Sequence, residues 1–332
     1  MGNNTKNRVL PHLASAILLV AFGAMDVSAS TLYNDIPNGY NGSAYVPYAT
    51  GANAGLTNFD NSVPFDLSGV SEFGGLINLT GSSSNYAITS GTVALDNYAT
   101  EAQYGATGVT CALGICSGSD SGGYWANVTV NAYAVGSQTG TNPDSPGNPL
   151  YAVGSPIASS TTNVYIDWSP GPSGGGSCVD GALPFNGANG PQCSVVNLVN
   201  FDLSAVVPAS FIYTISVTGD TTPTGSEGPS DSLNLGLNPC AAGDLSCPTQ
   251  SASTTAFGTT DPDTAYYNAS CASAYGLGVC GSLQADTGWG NYGYGAVSFS
   301  GTSSTPEPAT FGLIGFGLVA LGISSRKRNR KV

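Results

Sequence analysis

Across most of this 332-residue chain only carboxylates, thiols and aromatic rings are available for chemistry. No Lys, Arg or His occurs between residues 30 and 305. The seven bases are Lys6, Arg8, Arg326, Lys327, Arg328, Arg330 and Lys331, and the one histidine is His12. A serine or cysteine nucleophile in the middle of the chain therefore has no His or Lys to activate it, and a Schiff-base lysine is absent. Zinc held by histidines is excluded on the same ground. Paired carboxylates, as in glycoside hydrolysis, are the catalytic tool that remains. That stretch holds three glutamates, Glu72, Glu101 and Glu227, and scattered aspartates, with no local motif that pairs any two. No enzymatic activity is expected; a glycan-active enzyme is the third of three readings.

The thiols point to structure. Eight cysteines lie at Cys111, Cys116, Cys178, Cys193, Cys240, Cys247, Cys271 and Cys280. An even number in an exported chain implies disulfides, although eight cysteines admit 105 connectivities. Close spacing favours Cys111–Cys116, Cys178–Cys193, Cys240–Cys247 and Cys271–Cys280. Each bridge pins a local turn, and a loop near 15 residues is worth about 3 kcal/mol in the chain-entropy model. Metal binding by thiolates is disfavoured, because no Cys-x-x-Cys occurs and no histidine is at hand between residues 30 and 305.

The aromatic rings could stack on sugars. Trp125, Trp289, Tyr292 and Tyr294 are the candidate sugar contacts, and Tyr292 and Tyr294 flank Gly293 so as to share a strand face. Trp168 follows Val164 and Ile166 at period two and reads as core. No cofactor is expected. Calcium is the one cation with candidate ligands, at Asp261-Pro262-Asp263 and along Asp220 to Asp231 with Glu227. No EF-hand run of acids is present.

Charge excludes further partners. The formal net charge is -13, with 20 acids against 7 bases. Only Asp26 and Glu307 lie outside residues 30–305, so eighteen acids and no base give that stretch about -18. Nucleic acid would be repelled.

The elements that must position these groups read as strands. Val128, Val130, Ala132 and Ala134 alternate with Thr129, Asn131 and Tyr133. Val199, Phe201 and Leu203 repeat the pattern, as do Phe211, Tyr213, Ile215 and Val217, then Leu233, Leu235 and Leu237, and finally Val297 with Phe299. Such period-two runs are half-buried strands. Asn-Gly and Asp-Gly pairs at 38–39, 41–42, 180–181, 186–187 and 189–190 mark turns between them. No stretch of residues 30–304 shows a 3.6-residue apolar period. Gly 46 and Pro 20 suit a turn-rich chain, and 41% hydrophobic content suits a folded one. The fold class is all-β: an antiparallel β-sandwich, jelly-roll-like, over residues 30–304.

The two ends read as addresses. Residues 1–29 form a signal peptide: a polar start, the apolar run Leu13 to Met25, and Val27-Ser28-Ala29 for a signal peptidase that cuts after Ala29. The apolar run is too short to span a membrane comfortably. At the other end, residues 305–331 hold Pro306-Glu307-Pro308, an uncharged apolar stretch 309–325, and a basic tail 326–331. As a single hydrophobic helix the stretch reaches roughly 25 Å at about 1.5 Å per residue. Gly312, Gly315, Gly317 and Gly322 weaken it. A basic tail after such a transmembrane segment stays on the cytoplasmic side, leaving residues 30–304 outside on a transient inner-membrane tether.

This order of parts closely resembles the PEP-CTERM sorting signal, on Pro306, Glu307 and Pro308, the Gly/Leu-rich span, and Arg326, Arg328 and Arg330. The resemblance implies an integral-membrane exosortase that recognises the tail, cuts near the motif, and releases the protein or transfers it to the cell surface. It also implies a bacterium with an outer membrane and exopolysaccharide. Residues 30–304 further resemble a family of secreted bacterial proteins of unknown function. The phrases are 32–37 (LYNDIP), 71–74 (SEFG), 128–135 (VTVNAYAV), 200–203 (NFDL), 211–213 (FIY), 228–234 (GPSDSLN) and 286–289 (DTGW). That likeness implies one β-rich extracellular domain with local disulfides.

The leading reading is a non-enzymatic cell-surface or extracellular-matrix protein, processed by signal peptidase and exosortase and associated with exopolysaccharide. The alternative is a carbohydrate-binding module that uses exposed Trp and Tyr.

Overall fold

Alternation of apolar and polar side chains sorts the strands into two layers. The computed structural model describes residues 29–36, 61–65, 70–79, 83–104, 108–113, 115–143, 149–169, 183–187, 190–219, 232–238, 258–269, 281–287 and 294–303. Among these, the only helix is the single turn α1 (Glu101–Tyr104).

The first sheet contains β1 (Ser30–Asn34), β16 (Val297–Ser303), β4 (Asn85–Asn97), β10 (Gly190–Pro208) and β9 (Leu183–Gly187), in that order. It is extended by β12 (Leu233–Asn238), β2 (Asn61–Pro64) and β15 (Tyr294–Gly295). β12 lies beside Leu95–Asn97 of β4, just beyond Val297 of β16. The second sheet runs β14 (Gln284–Thr287), β13 (Gly258–Ala269), β3 (Val70–Leu79), β11 (Ser210–Gly219) and β7 (Gly123–Thr141), with β8 (Pro149–Asp167) on the outer edge of β7. The hairpin of β5 (Gly108–Ala112) and β6 (Ile115–Ser119) joins β7 at Ser119 and Tyr124.

The pairing makes this a jelly roll. β1 pairs β16, β3 pairs β11, β4 pairs β10 and β7 pairs β8, all antiparallel, as four nested pairs of one long folded hairpin. The sheets then read β1-β16-β4-β10 and β3-β11-β7-β8. β12, β13 and β14 are added between β11 and β16 and widen both layers.

The predicted inward faces meet between the layers. Val128, Val130 and Ala132 of β7, Phe211, Tyr213 and Ile215 of β11, Val199 and Phe201 of β10, and Val297 and Phe299 of β16 are all buried. Phe299 ties the sheets together. Its ring packs edge-on to Phe201 in its own layer and to Phe211 and Tyr213 across the core, at 5.6, 5.6 and 5.8 Å. Gly91 makes room for this packing, since a Cβ there would lie 2.3 Å from Cζ of Phe201 and 2.2 Å from the carbonyl of Ser298.

One expectation is exceeded. β11 is buried on both faces, with Ile212 and Thr214 as inaccessible as Phe211 and Tyr213. The register of β7 against β8 shifts repeatedly between Ala132 and Gly140, and bulges bend a ribbon. The bent end of this hairpin forms an arm over the far side of the second sheet. Tyr133, Val135, Tyr151 and Val153 of the arm, with Leu283 and Ala285, cover Leu76, Ile212 and Tyr266 in a second apolar cluster. At the end of the arm the Asn142 amide donates to Thr264 of β13 at 3.4 Å.

Candidate functional site

The first and last described strands are neighbours. Ala29 is exposed and directly precedes β1. Ser30 pairs with Gly301, and β16 stops at Ser303. The expected signal cut, after Ala29, and the last described residue before the expected sorting segment, Ser303, therefore lie at adjacent strand ends. Pro306, Glu307, Pro308, Arg326, Arg328, Arg330 and the apolar stretch 309–325 lie outside the described residues. Among the described residues, no helix is long and apolar enough to cross a membrane.

Of the expected bridges, Cys111–Cys116 is formed, at facing positions of the β5–β6 hairpin. Asn163 of β8 clasps that hairpin, accepting from the amide of Cys116 at 3.0 Å and donating to its carbonyl at 3.1 Å. Cys178, Cys240, Cys247, Cys271 and Cys280 lie outside the described residues. Cys193 is placed only by its backbone, opposite Pro184 in the β9–β10 hairpin.

The aromatic candidates separate. Trp289 and Tyr292 lie outside the described residues, and Tyr294 is placed only by its backbone pairing with Asn238. Trp125 sits half-buried on the outer face of β7, directly opposite Tyr165 of β8. Their rings meet edge to face at 5.3 Å and 66°. Tyr165 is 37% exposed. Its hydroxyl donates to Oδ1 of Asp120. The same oxygen accepts the amides of Gly122 at 2.8 Å and Gly123 at 3.1 Å, the turn an aspartate favours at such a position. Trp168 closes the turn: its Nε1 donates to the Asp120 carbonyl at 2.7 Å and its ring packs on Tyr124 at 5.1 Å. Trp168 is thus partly buried against the core, as its spacing predicts, and also clamps the loop.

Electrostatics follow from these bonds. The Tyr165 hydroxyl, then the glycine amides, hold the Asp120 carboxyl below its ordinary range. Desolvation, then the bond to Asp120, pushes the Tyr165 phenol up to about 12. Asp120 is therefore a carboxylate and Tyr165 a neutral donor at physiological pH.

Tyr165, Asp120 and Asp167 are missing from the candidates that sequence alone supplies. Tyr165 and Asp167 do carry a signal, since they alternate with the inward residues Val164, Ile166 and Trp168 and so face outward. The partnership of Tyr165 with Trp125 depends on a register that the sequence does not encode locally.

Two other clusters draw the eye. A hydroxyl-lined groove of about 410 Å³ lies on the first sheet, between Ser90, Thr92, Asn200, Asp202 and Ser300 and residues 160–162 of β8. Within it the Thr92 hydroxyl donates to Oδ1 of Asn200 at 2.7 Å. On the second sheet, Oε1 of Glu72 accepts from Asn131 at 2.9 Å, Tyr133 at 2.9 Å and Thr214. Burial first, and then Glu72, pushes the Tyr133 phenol up to about 12. Glu72 is a strut beneath the arm. Glu101 lies exposed at the start of α1. Glu227 and the calcium candidates along 220–231 fall outside the described residues, and of Asp261 and Asp263 only the backbone, in β13, is described.

Comparison with known proteins adds one finding at the C-terminal end. Residues 304–328 match the family model of the PEP-CTERM protein-sorting motif. The chain carries a PEP-CTERM sorting motif. Such a motif marks an exported protein that an exosortase processes, and here it begins directly after β16. No curated protein and no solved structure matches the chain, so the likeness of residues 30–304 to a secreted family has no support beyond its own phrases.

Proposed function

We propose that this protein is a non-enzymatic component of the cell surface or extracellular matrix, held there among exopolysaccharide after the exosortase has acted. The observation that carries the reading is the sorting motif at 304–328 attached directly to a jelly roll whose sequence lacks every cationic side chain. A body near -18 stays soluble, and it does not stick to acidic polymers as a basic one would. The two described glutamates support a non-catalytic role. Glu72 spends its carboxylate on three donors of the protein itself, and Glu101 stands on an exposed turn. The inner membrane tethers the precursor through 309–325, and the tail after the motif is lost on processing.

Fractionation of the producing cell tests this reading. The wild-type protein is expected outside the cell with the matrix polysaccharide, and a chain lacking residues 306–332, which an exosortase has no motif to recognise, is expected to stay behind in the cell fraction. Equal partitioning of the two, or wild-type protein retained wholly in the inner membrane, overturns it.

A further inference from the structure

We infer that the corner formed by Trp125, Tyr165, Asp120 and Asp167 is a binding site for a neutral hexose polymer. The inference rests on the exopolysaccharide reading and gives it a place and a ligand class.

The corner combines two kinds of surface that a sugar ring needs. Tyr165 presents an exposed ring, and Trp125 stands against it at 66°, so the pair makes two walls. The C–H face of a pyranose stacks on such rings. Three polar groups around the walls have no partner among the described residues. The Trp125 indole N–H is one, and it can only donate. The Asp167 carboxylate is the second, exposed two residues along β8 on the same face as Tyr165. The third is Oδ2 of Asp120, because all the bonds to that carboxylate converge on Oδ1. Two carboxylates and one N–H match the hydroxyls of a hexose, which offer many donors and an acceptor at each oxygen. Hydrogen bonds from hydroxyls to a carboxylate are short and about twice as strong as neutral ones.

The site is also rigid before any ligand arrives. Tyr165 is fixed by Asp120, Asp120 by two backbone amides, and the loop by Trp168. A preorganised site loses less entropy on binding. Charge sets the ligand class. With no cation in residues 30–305, a uronate or sulfated chain has nothing to pair with and meets two carboxylates. A chain without acidic groups suffers no such repulsion.

The test uses the full-length protein in mild detergent and the exopolysaccharide of its own host, split by anion exchange into neutral and acidic fractions. Binding is read by co-sedimentation and by tryptophan fluorescence. The variants are Tyr165→Ala and Asp167→Asn; the second alters only one exposed carboxylate on an edge strand, and near-ultraviolet circular dichroism checks both folds. Wild-type protein is expected to bind the neutral fraction, Tyr165→Ala about tenfold more weakly and Asp167→Asn severalfold more weakly. Unchanged binding by both folded variants overturns the site and leaves the exopolysaccharide reading standing. Preference for the acidic fraction overturns the ligand class. Binding to neither fraction overturns both the site and the reading beneath it.

Discussion

Asp96 is a carboxyl in a place that suits no charge. It lies on β4 between Val196 of β10 and Asn234 of β12, is 1% exposed, and neither of its oxygens has a hydrogen-bond partner among the described residues. Burial pushes it up to about 8 from an ordinary 3.8. The folded protein therefore keeps a proton that the unfolded chain gives up, and stability falls as pH rises through that window. The slope is at most about 1.4 kcal/mol per pH unit. Asp96→Asn removes the titration while keeping the shape. Urea unfolding at pH 5 and pH 8 should show wild type losing stability and the variant nearly level, with the variant the more stable at pH 8. Parallel losses in the two proteins would show that Asp96 ionises freely in the fold.

At the scale of elements, the arm of β7 and β8 decides what the second sheet exposes. Glu72 holds it through Asn131, Tyr133 and Thr214, reaching across β11 from β3 to β7. Glu72→Ala leaves those donors without their acceptor, at a cost of about 1–3 kcal/mol. Hydrogen exchange in the variant should quicken in residues 133–153 while the core strands β4 and β16 keep their protection. Uniform quickening would mean that the arm and sandwich open as one unit. The sandwich strands themselves were legible. Val199, Phe201 and Leu203, or Val297 and Phe299, alternate so regularly that only one face can be buried. The arm was not legible, because its bend comes from register shifts between Ala132 and Gly140 and its burial from partners on β3 and β13, far away in sequence. The aromatic corner shows the same division. Trp125 stands out by residue type, whereas Tyr165 gains meaning only when strand pairing sets it opposite.

For the whole molecule, order along the chain becomes order in space. The first and last strands of the roll are paired, so the signal side and the sorting side share one edge of the sandwich. All of the chain's bases lie in the segments beyond those strands, and eighteen of its twenty acids lie between. Processing at both ends would turn a precursor of formal charge -13 into a domain near -18 without touching a strand. The tripartite C-terminal pattern was legible because its three parts are contiguous in sequence and each is read from residue type alone. The proposed sugar site was not, since it depends on the register that sets Tyr165 of β8 opposite Trp125 of β7. Intact mass of the mature protein, from cells with and without the exosortase, tests the central claim most directly. The claim requires a wild-type product that starts near Ser30 and has lost Arg326 to Lys331, with those residues retained when the exosortase is removed. A wild-type product still ending in that basic tail would contradict it.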